Sequence, residues 1–388
     1  MLKNFKILFN AASIIIGTIV GVGIFGLPYA IAKVGFLIGI PLLVLLSGAV
    51  LCLHYLYGEI VLRTKRKQRL VGYAKKYLGS KGKSIATLSV VFGLLGSQLA
   101  YLIVGGEFLQ FLSGNLFGKN LFVYIIIFLV IGSLIILKDS MVIANFEFLM
   151  SIFLILVILL IFFSALSHIQ LNNFNEINLS NTFLAYGVIL FSLSGVVAIP
   201  EAIEYLKKKG DKRCKKINYK KIIGIGTLLP HFLYILFIAA TLGVVGNNIN
   251  ESAIASLQDF LGKNIVIVGA LFGLAAVITS FVTIGATLMK IVWYDYRIPK
   301  IFSWLITTIT PLILFIIGFR NFINVIGVVG AIMGGIDGIL IILIYQQAKK
   351  KGDNKKPAYS VNVPNIIKWS MVAIFALGIL YELFYFLK

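Results

Sequence analysis

Apolar residues run along this chain in stretches of 17 to 31, separated by short segments rich in lysine, asparagine and glycine. A bilayer core about 30 Å thick is crossed by about 20 helical residues. The pattern therefore predicts eleven membrane spans, at 9–36, 37–62, 85–112, 121–137, 145–166, 182–206, 222–245, 264–294, 299–318, 322–346 and 364–387. The expected class is an all-α polytopic membrane protein. Leu70-Val-Gly-Tyr-Ala-Lys-Lys-Tyr-Leu78, between spans 2 and 3, is amphipathic and is expected to lie on the membrane surface.

The first span is irregular where a helix should be most regular. Gly17-Thr-Ile-Val-Gly-Val-Gly-Ile-Phe-Gly-Leu-Pro28 carries four glycines and a proline before Tyr29. Glycine tolerates unusual backbone angles and proline lacks an N–H donor. An unpaired backbone group in hydrocarbon costs several kcal/mol, so a break at this depth is tolerated only where it is buried in protein or lines a polar cavity. One reading is a discontinuous helix whose free backbone groups at Val20, Gly21, Val22, Gly23 and Ile24 hold a small charged solute. The other is a glycine-rich packing helix.

A repeat bears on that choice. Gly23-Ile-Phe-Gly-Leu-Pro-Tyr-Ala-Ile31 matches Gly195-Val-Val-Ala-Ile-Pro-Glu-Ala-Ile203 in its glycine, proline, alanine and isoleucine positions. Paired interruptions at corresponding places in two halves point to a transporter binding site. Spans 1–5 and 6–10 then form two halves of five spans. Because five is odd, the second half runs inverted. The expected division is 1–166, 167–346, and 347–388 with the eleventh span.

Charge sets the orientation. Lysine and arginine total 35 against 14 aspartates and glutamates. With the N-terminus inside, 30 of the 35 fall on the inner side and five outside, as the positive-inside rule requires. The excess is thus read as topology and not as a nucleic-acid surface. The expected location is the cytoplasmic membrane, N-terminus inside and C-terminus outside, without a cleaved signal peptide. Of the two cysteines, Cys52 lies in a span and Cys214 in a basic loop, which gives neither a disulfide framework nor a metal site.

The Gly17–Ala30 stretch resembles the first helix of amino acid permeases of the APC superfamily, in particular the amino acid/auxin permease branch with its bacterial aromatic and hydroxy amino acid members. Gln98-Leu-Ala-Tyr-Leu-Ile-Val-Gly-Gly-Glu107, Phe191-Ser-Leu-Ser-Gly-Val-Val-Ala-Ile-Pro200 and Ala276-Val-Ile-Thr-Ser-Phe281 resemble that branch's third, sixth and eighth spans. The resemblance implies a LeuT-type fold, a 5+5 inverted repeat with discontinuous spans 1 and 6 plus an eleventh span, and alternating access. It implies a neutral amino acid held between spans 1, 3, 6 and 8, with Gln98 and Tyr101 from span 3 and Phe191, Ser192, Ser194, Gly195 and Val197 from span 6, although Tyr101 reads equally as an aromatic packing residue. Physical chemistry agrees: N–H groups after Val22, at the positive end of a half-helix, suit the carboxylate, and carbonyls at Phe191 to Ser194 suit the ammonium.

Ala276, Thr279, Ser280 and Thr283 share one face of span 8 by their i, i+3, i+4, i+7 spacing. By resemblance, a sodium ion would take the carbonyls of Gly17, Val20 and Ala276 and the hydroxyls of Thr279 and Ser280. The alternative is a small-residue packing stripe. No other cofactor is expected. For proton coupling the candidates are Asp337 in span 10, His231 in span 7 and His54 in span 2, although a histidine on an apolar helix is commonly a hydrogen-bonded packing residue. Sodium is preferred. Glu59, Glu201, Glu204 and Asp295 lie near inner span ends and are expected to reach water or loop lysines, with Asp295 offered as a gate partner for Lys3.

The expected partners are an amino acid, a coupling cation and the bilayer. A carrier of a polyamine or nucleobase is the nearest alternative, but a polyamine site wants several cavity carboxylates, and Glu107 and Asp337 alone qualify. A membrane-embedded enzyme would need a motif such as HExxH, DxxxD or GxSxG, and the chain has none.

Overall fold

A computed structural model describes residues 2–137, 141–209, 218–251 and 253–386; side chains at 2–6, 141–151, 154, 209, 294, 295, 385 and 386 are not described. Cys214 and its basic run, and the Lys3–Asp295 gate, lie outside the described residues and side chains.

The described residues form helices in the predicted order. α1 (Leu2–Ile19) and α2 (Gly23–Val34) are bent by 53° across a three-residue break. α3 (Phe36–Arg63), α4 (Leu70–Leu112), α5 (Leu121–Leu137) and α6 (Met141–Ala165) complete the first half. α7 (Thr182–Leu193) and α8 (Ala198–Lys209) are the two pieces of the sixth span. α9 (Tyr219–Val245), a short α10 (Gln258–Leu261), α11 (Lys263–Lys290) and α12 (Lys300–Ile316) follow. α13 (Phe322–Val328) and α14 (Gly335–Lys351) are joined by a π-helical turn, Val329–Gly334, and α15 (Asn365–Phe386) is the added span. Among the described residues, seven segments are long and apolar enough to cross a membrane, one bent pair passes together, and three shorter apolar helices lie at Leu121–Leu137, Ile155–His168 and Lys300–Ile316. Together they account for the eleven predicted spans.

Span 3 and the amphipathic segment before it are one helical run. It turns at Gly79, whose φ of 77° is a conformation that glycine adopts without penalty. The apolar face of Leu70–Leu78 does not rest on lipid. Tyr73 and Tyr77 are buried, Tyr73 meets Tyr57 of α3 edge-on at 5.8 Å, and the Tyr77 hydroxyl lies 2.8 Å from Thr64 Oγ1.

Among the acids at the basic end, Glu59 differs from expectation. Glu59 is fully buried. It accepts hydrogen bonds from Arg63 Nε at 2.7 Å, Ser360 Oγ at 3.0 Å and the Val361 N–H at 2.6 Å. Arg63 in turn donates to the carbonyls of Asn354 and Lys355 at 3.4 and 3.5 Å. A buried ion pair holds only when its remaining donors and acceptors are satisfied, and here the segment between α14 and α15 satisfies them. It is thereby strapped across the end of α3. Glu201 and Glu204 of α8 reach solvent, as expected, and pair with Arg69 of the loop before α4, at 3.6 and 2.7 Å.

α7 is held close against the α13–π-turn element. A methyl group on Gly330 would collide with the Gly187 carbonyl and come within 2.7 Å of the Phe191 N. Glycine on both sides lets the two backbones touch.

Candidate functional site

Both breaks free backbone groups by interrupting the i→i−4 ladder. In span 1 the last two bonds before the break are Val20 N–H to Ile16 O (2.8 Å) and Gly21 N–H to Ile19 O (2.9 Å). The next backbone bond is Phe25 N–H to Val22 O at 3.1 Å. The N–H groups of Val22, Gly23 and Ile24 therefore have no backbone partner at the start of α2. Val20, Val22 and Ile24 are buried.

In span 6, Ser194 is extended (φ −72°, ψ 126°) and its N–H reaches Phe191 O at 3.3 Å. α8 begins with Ala198 N–H to Gly195 O at 3.0 Å, which leaves Val196 and Val197 N–H without a backbone partner. Ser192 donates its hydroxyl to Val188 O at 2.7 Å.

The breaks meet. A Cβ on Gly23 would come within 2.7 Å of the Ser192 α-carbon and would strike its hydroxyl. A Cβ on Gly21 would strike the Tyr101 hydroxyl, and one on Gly195 would lie 2.6 Å from Ile19. Gly21, Gly23, Tyr101, Ser192 and Gly195 thus form one buried cluster where α2, α4 and α7 converge. Gln98 sits on the same helix as Tyr101 but is committed to α11: its Nε2 donates to Phe281 O at 2.5 Å, while Oε1 is buried without a partner.

The residues of the sodium reading are divided between two helices. Gly17 lies in α1 and Val20 at its end; Ala276, Thr279 and Ser280 lie buried in α11. Thr279 donates to Ala276 O at 2.9 Å, so its own lone pairs remain available. The donors, five neutral oxygens, suit a hard monovalent cation. α1 packs chiefly on α6, α8 and α9, whereas α11 packs on α4, α5, α6 and α12. The two ligand groups share α6 as a neighbour more than they face each other.

The histidines are bonded to the break in span 6. His54 Nε2 accepts the Gly195 N–H at 3.2 Å, and its Nδ1 lies 2.8 Å from Thr227 Oγ1. His231 Nε2 lies 3.3 Å from Leu193 O, and its Nδ1 is buried without a partner. One turn along α9, the Tyr234 hydroxyl donates to Ile19 O at 2.6 Å. Sequence reasoning missed Tyr234 and Thr227. The available signal was the i, i+3 pair His231 and Tyr234 in the span that follows the second break.

A cavity of about 1300 Å³ opens on the basic face and reaches Val196, Val197, Glu201 and Asp337. Asp337 follows the π-helical turn, and its Oδ1 is buried without a partner. On the opposite face a cavity of about 680 Å³ is lined by Glu107, Glu251 and Arg320.

Two inverted halves, each opening on a broken span, with the breaks packed together at a buried centre, define a LeuT-type transmembrane permease. The chain belongs to the tryptophan/tyrosine permease family, which it matches over residues 4–384. Among curated proteins it is similar to glutamine transporter 2 of Aliivibrio fischeri, 23% identical over 320 residues that cover 80% of this chain and 81% of the relative. It is similar also to tyrosine-specific transport system 2 of Haemophilus influenzae, 28% identical over 254 residues (64% of this chain, 60% of the relative). Tyrosine-specific transport system 1 of the same organism is 24% identical over 324 residues (77% and 78%). Among solved structures, the fold is similar to that of Mhp1, a nucleobase-cation-symport-1 family transporter. Its closed form with bromovinylhydantoin bound gives a TM-score of 0.63 at 14% identity, covering 97% of this chain and 91% of that one. Its inward-facing form gives 0.66 at 14% identity, with 97% and 88% covered.

Proposed function

We propose that this permease moves a neutral amino acid across the cytoplasmic membrane by alternating access, coupled to a cation. The observation that carries the proposal is the contact between the breaks, Gly23 against Ser192, beside the N–H groups of Val22, Gly23 and Ile24 that have no backbone partner. Three N–H groups at the positive end of α2 suit a carboxylate, and carbonyls at the end of α7 suit an ammonium. Tyr101 closes the site from α4. The family and the names of its relatives favour tyrosine, tryptophan and glutamine as the first amino acids to test.

Sodium is the preferred coupling ion in this reading, held by the carbonyls of Gly17, Val20 and Ala276 and the hydroxyls of Thr279 and Ser280. The large cavity on the basic face supports a conformation open to the inside, in which α1 has moved off α11. The sodium site would then assemble when the halves 1–166 and 167–346 rock closed. A proton reading has one observation in its favour, the unpartnered buried oxygen of Asp337 at that cavity.

Counterflow in liposomes tests the proposal. Protein loaded with unlabelled amino acids is offered labelled tyrosine, tryptophan, glutamine, leucine, serine or alanine, with and without sodium at fixed pH. Accumulation of one of these labels is expected, with a larger amount in sodium. Absence of accumulation by folded, inserted protein would move the reading to a polyamine or nucleobase carrier.

A further inference from the structure

If span 6 were one continuous helix, its ladder would pair Gly195 N–H with Phe191 O and Val197 N–H with Leu193 O. Neither bond exists. His54 of α3 takes the Gly195 N–H at 3.2 Å, and His231 of α9 reaches Leu193 O at 3.3 Å. In span 1 a continuous ladder would pair Gly23 N–H with Ile19 O; that carbonyl instead accepts the Tyr234 hydroxyl at 2.6 Å and the Gly21 N–H at 2.9 Å. Three side chains from two neighbouring helices thus occupy the backbone groups that would otherwise heal the two breaks. We infer that His54, His231 and Tyr234 are positioning residues that keep spans 1 and 6 discontinuous, so that the N–H groups of Gly23, Val196 and Val197 stay open to a ligand. This rests on the transporter reading for its functional consequence but not for its structural one.

The hydrogen-bond chemistry fixes each ring. His54 Nε2 faces a donor and is unprotonated, so Nδ1 carries the hydrogen to Thr227 Oγ1 at 2.8 Å. His231 Nε2 faces a carbonyl and carries the hydrogen. Both rings act as neutral hydrogen-bond partners, and neither needs to change charge during transport.

Glutamine places its terminal polar atoms where histidine places Nε2, whereas asparagine reaches only as far as Nδ1. His54→Gln and His231→Gln keep the contact with the break; His54→Asn and His231→Asn lose it. Counterflow by His231→Gln, whose Nδ1 has no partner to lose, is expected to stay within about threefold of wild type with an unchanged pH profile; His54→Gln also gives up the Nδ1 bond to Thr227, so only its pH profile, expected unchanged, is compared. The asparagine variants are expected to raise KM by about tenfold or more, the effect of one buried hydrogen bond made or lost. Tyr234→Phe is expected to act like the asparagine variants. His231→Gln as impaired as His231→Asn would overturn the inference in favour of a titrating role, and wild-type behaviour of the asparagine variants would overturn it outright. If the asparagine variants do not fold, the glutamine variants decide.

A readout free of substrate is amide exchange in nanodiscs. In His231→Asn the released Leu193 carbonyl is expected to capture the Val197 N–H and slow its exchange by about tenfold or more, with no change in His231→Gln. A Val197 amide that does not slow in His231→Asn would also overturn the inference. Wild-type protein inactive toward every amino acid, yet with this exchange pattern, would remove the proposed substrate and leave the positioning role standing.

Discussion

Gly21 lies against the Tyr101 phenol so closely that any side chain at 21 must displace the hydroxyl. Gly21→Ala is therefore expected to lower the initial rate of counterflow at least about tenfold with normal membrane insertion. Adding Tyr101→Phe removes the obstructing oxygen and leaves the ring carbon Cζ at 3.3 Å from the new methyl, a gap that a small shift can widen. The double variant is expected to recover most of the rate. Absence of recovery would show that the Tyr101 hydroxyl is itself needed for transport.

Thr279→Ala combined with Ser280→Ala removes two of the five oxygens of the sodium reading. The sodium concentration for half-maximal counterflow is expected to rise at least about a hundredfold, since each of the two lost ligands is worth roughly as much as a hydrogen bond to a charged group, about tenfold or more. A sodium response equal to that of wild type would return this face of α11 to packing.

Asp337→Asn separates the two coupling ions. Under sodium coupling, the variant is expected to keep sodium-driven accumulation within about twofold. Exchange that continues while uphill accumulation disappears would instead assign coupling to a proton on Asp337, because asparagine fills the same space without titrating.

Glu59→Gln leaves Arg63 buried without its counter-charge, which costs about 3–5 kcal/mol. A clear fall in the thermal unfolding temperature in detergent is expected. The double variant Glu59→Gln with Arg63→Met is expected to fall less than Glu59→Gln alone, because it no longer buries an unpaired charge.

The spans and both breaks were legible because they rest on local features: run length, lysine placement, and glycine with proline in the middle of a hydrophobic stretch. The cluster of Gly21, Gly23, Ser192 and Gly195 was legible for the same reason, and the repeat between Gly23–Ile31 and Gly195–Ile203 located it twice. What a polar side chain inside a span faces is not local. His54 and His231 look alike in the sequence whether they carry protons or bind backbone, and their contacts with Gly195 and Leu193 depend on the placement of α3 and α9 beside the break. Gln98 shares a helix with Tyr101 yet turns to α11, a difference of helix face that depends on the angle at which α4 crosses its neighbours. Glu59 lies at a depth where sequence predicts contact with water. Its burial depends on Ser360 and Val361, some 300 residues away in the chain, which no periodicity records.

That distance has a consequence for biogenesis. Arg63 and Asn354 are 291 positions apart. At ribosomal speeds of about 5–20 residues per second, roughly 15 to 60 s pass between the emergence of one and the other. Throughout that interval Glu59 and Arg63 lack the partners that Asn354, Lys355, Ser360 and Val361 supply. The strap therefore records that the tenth span has been delivered. A chain halted earlier has the Glu59–Arg63 pair without the segment that covers it in the finished permease.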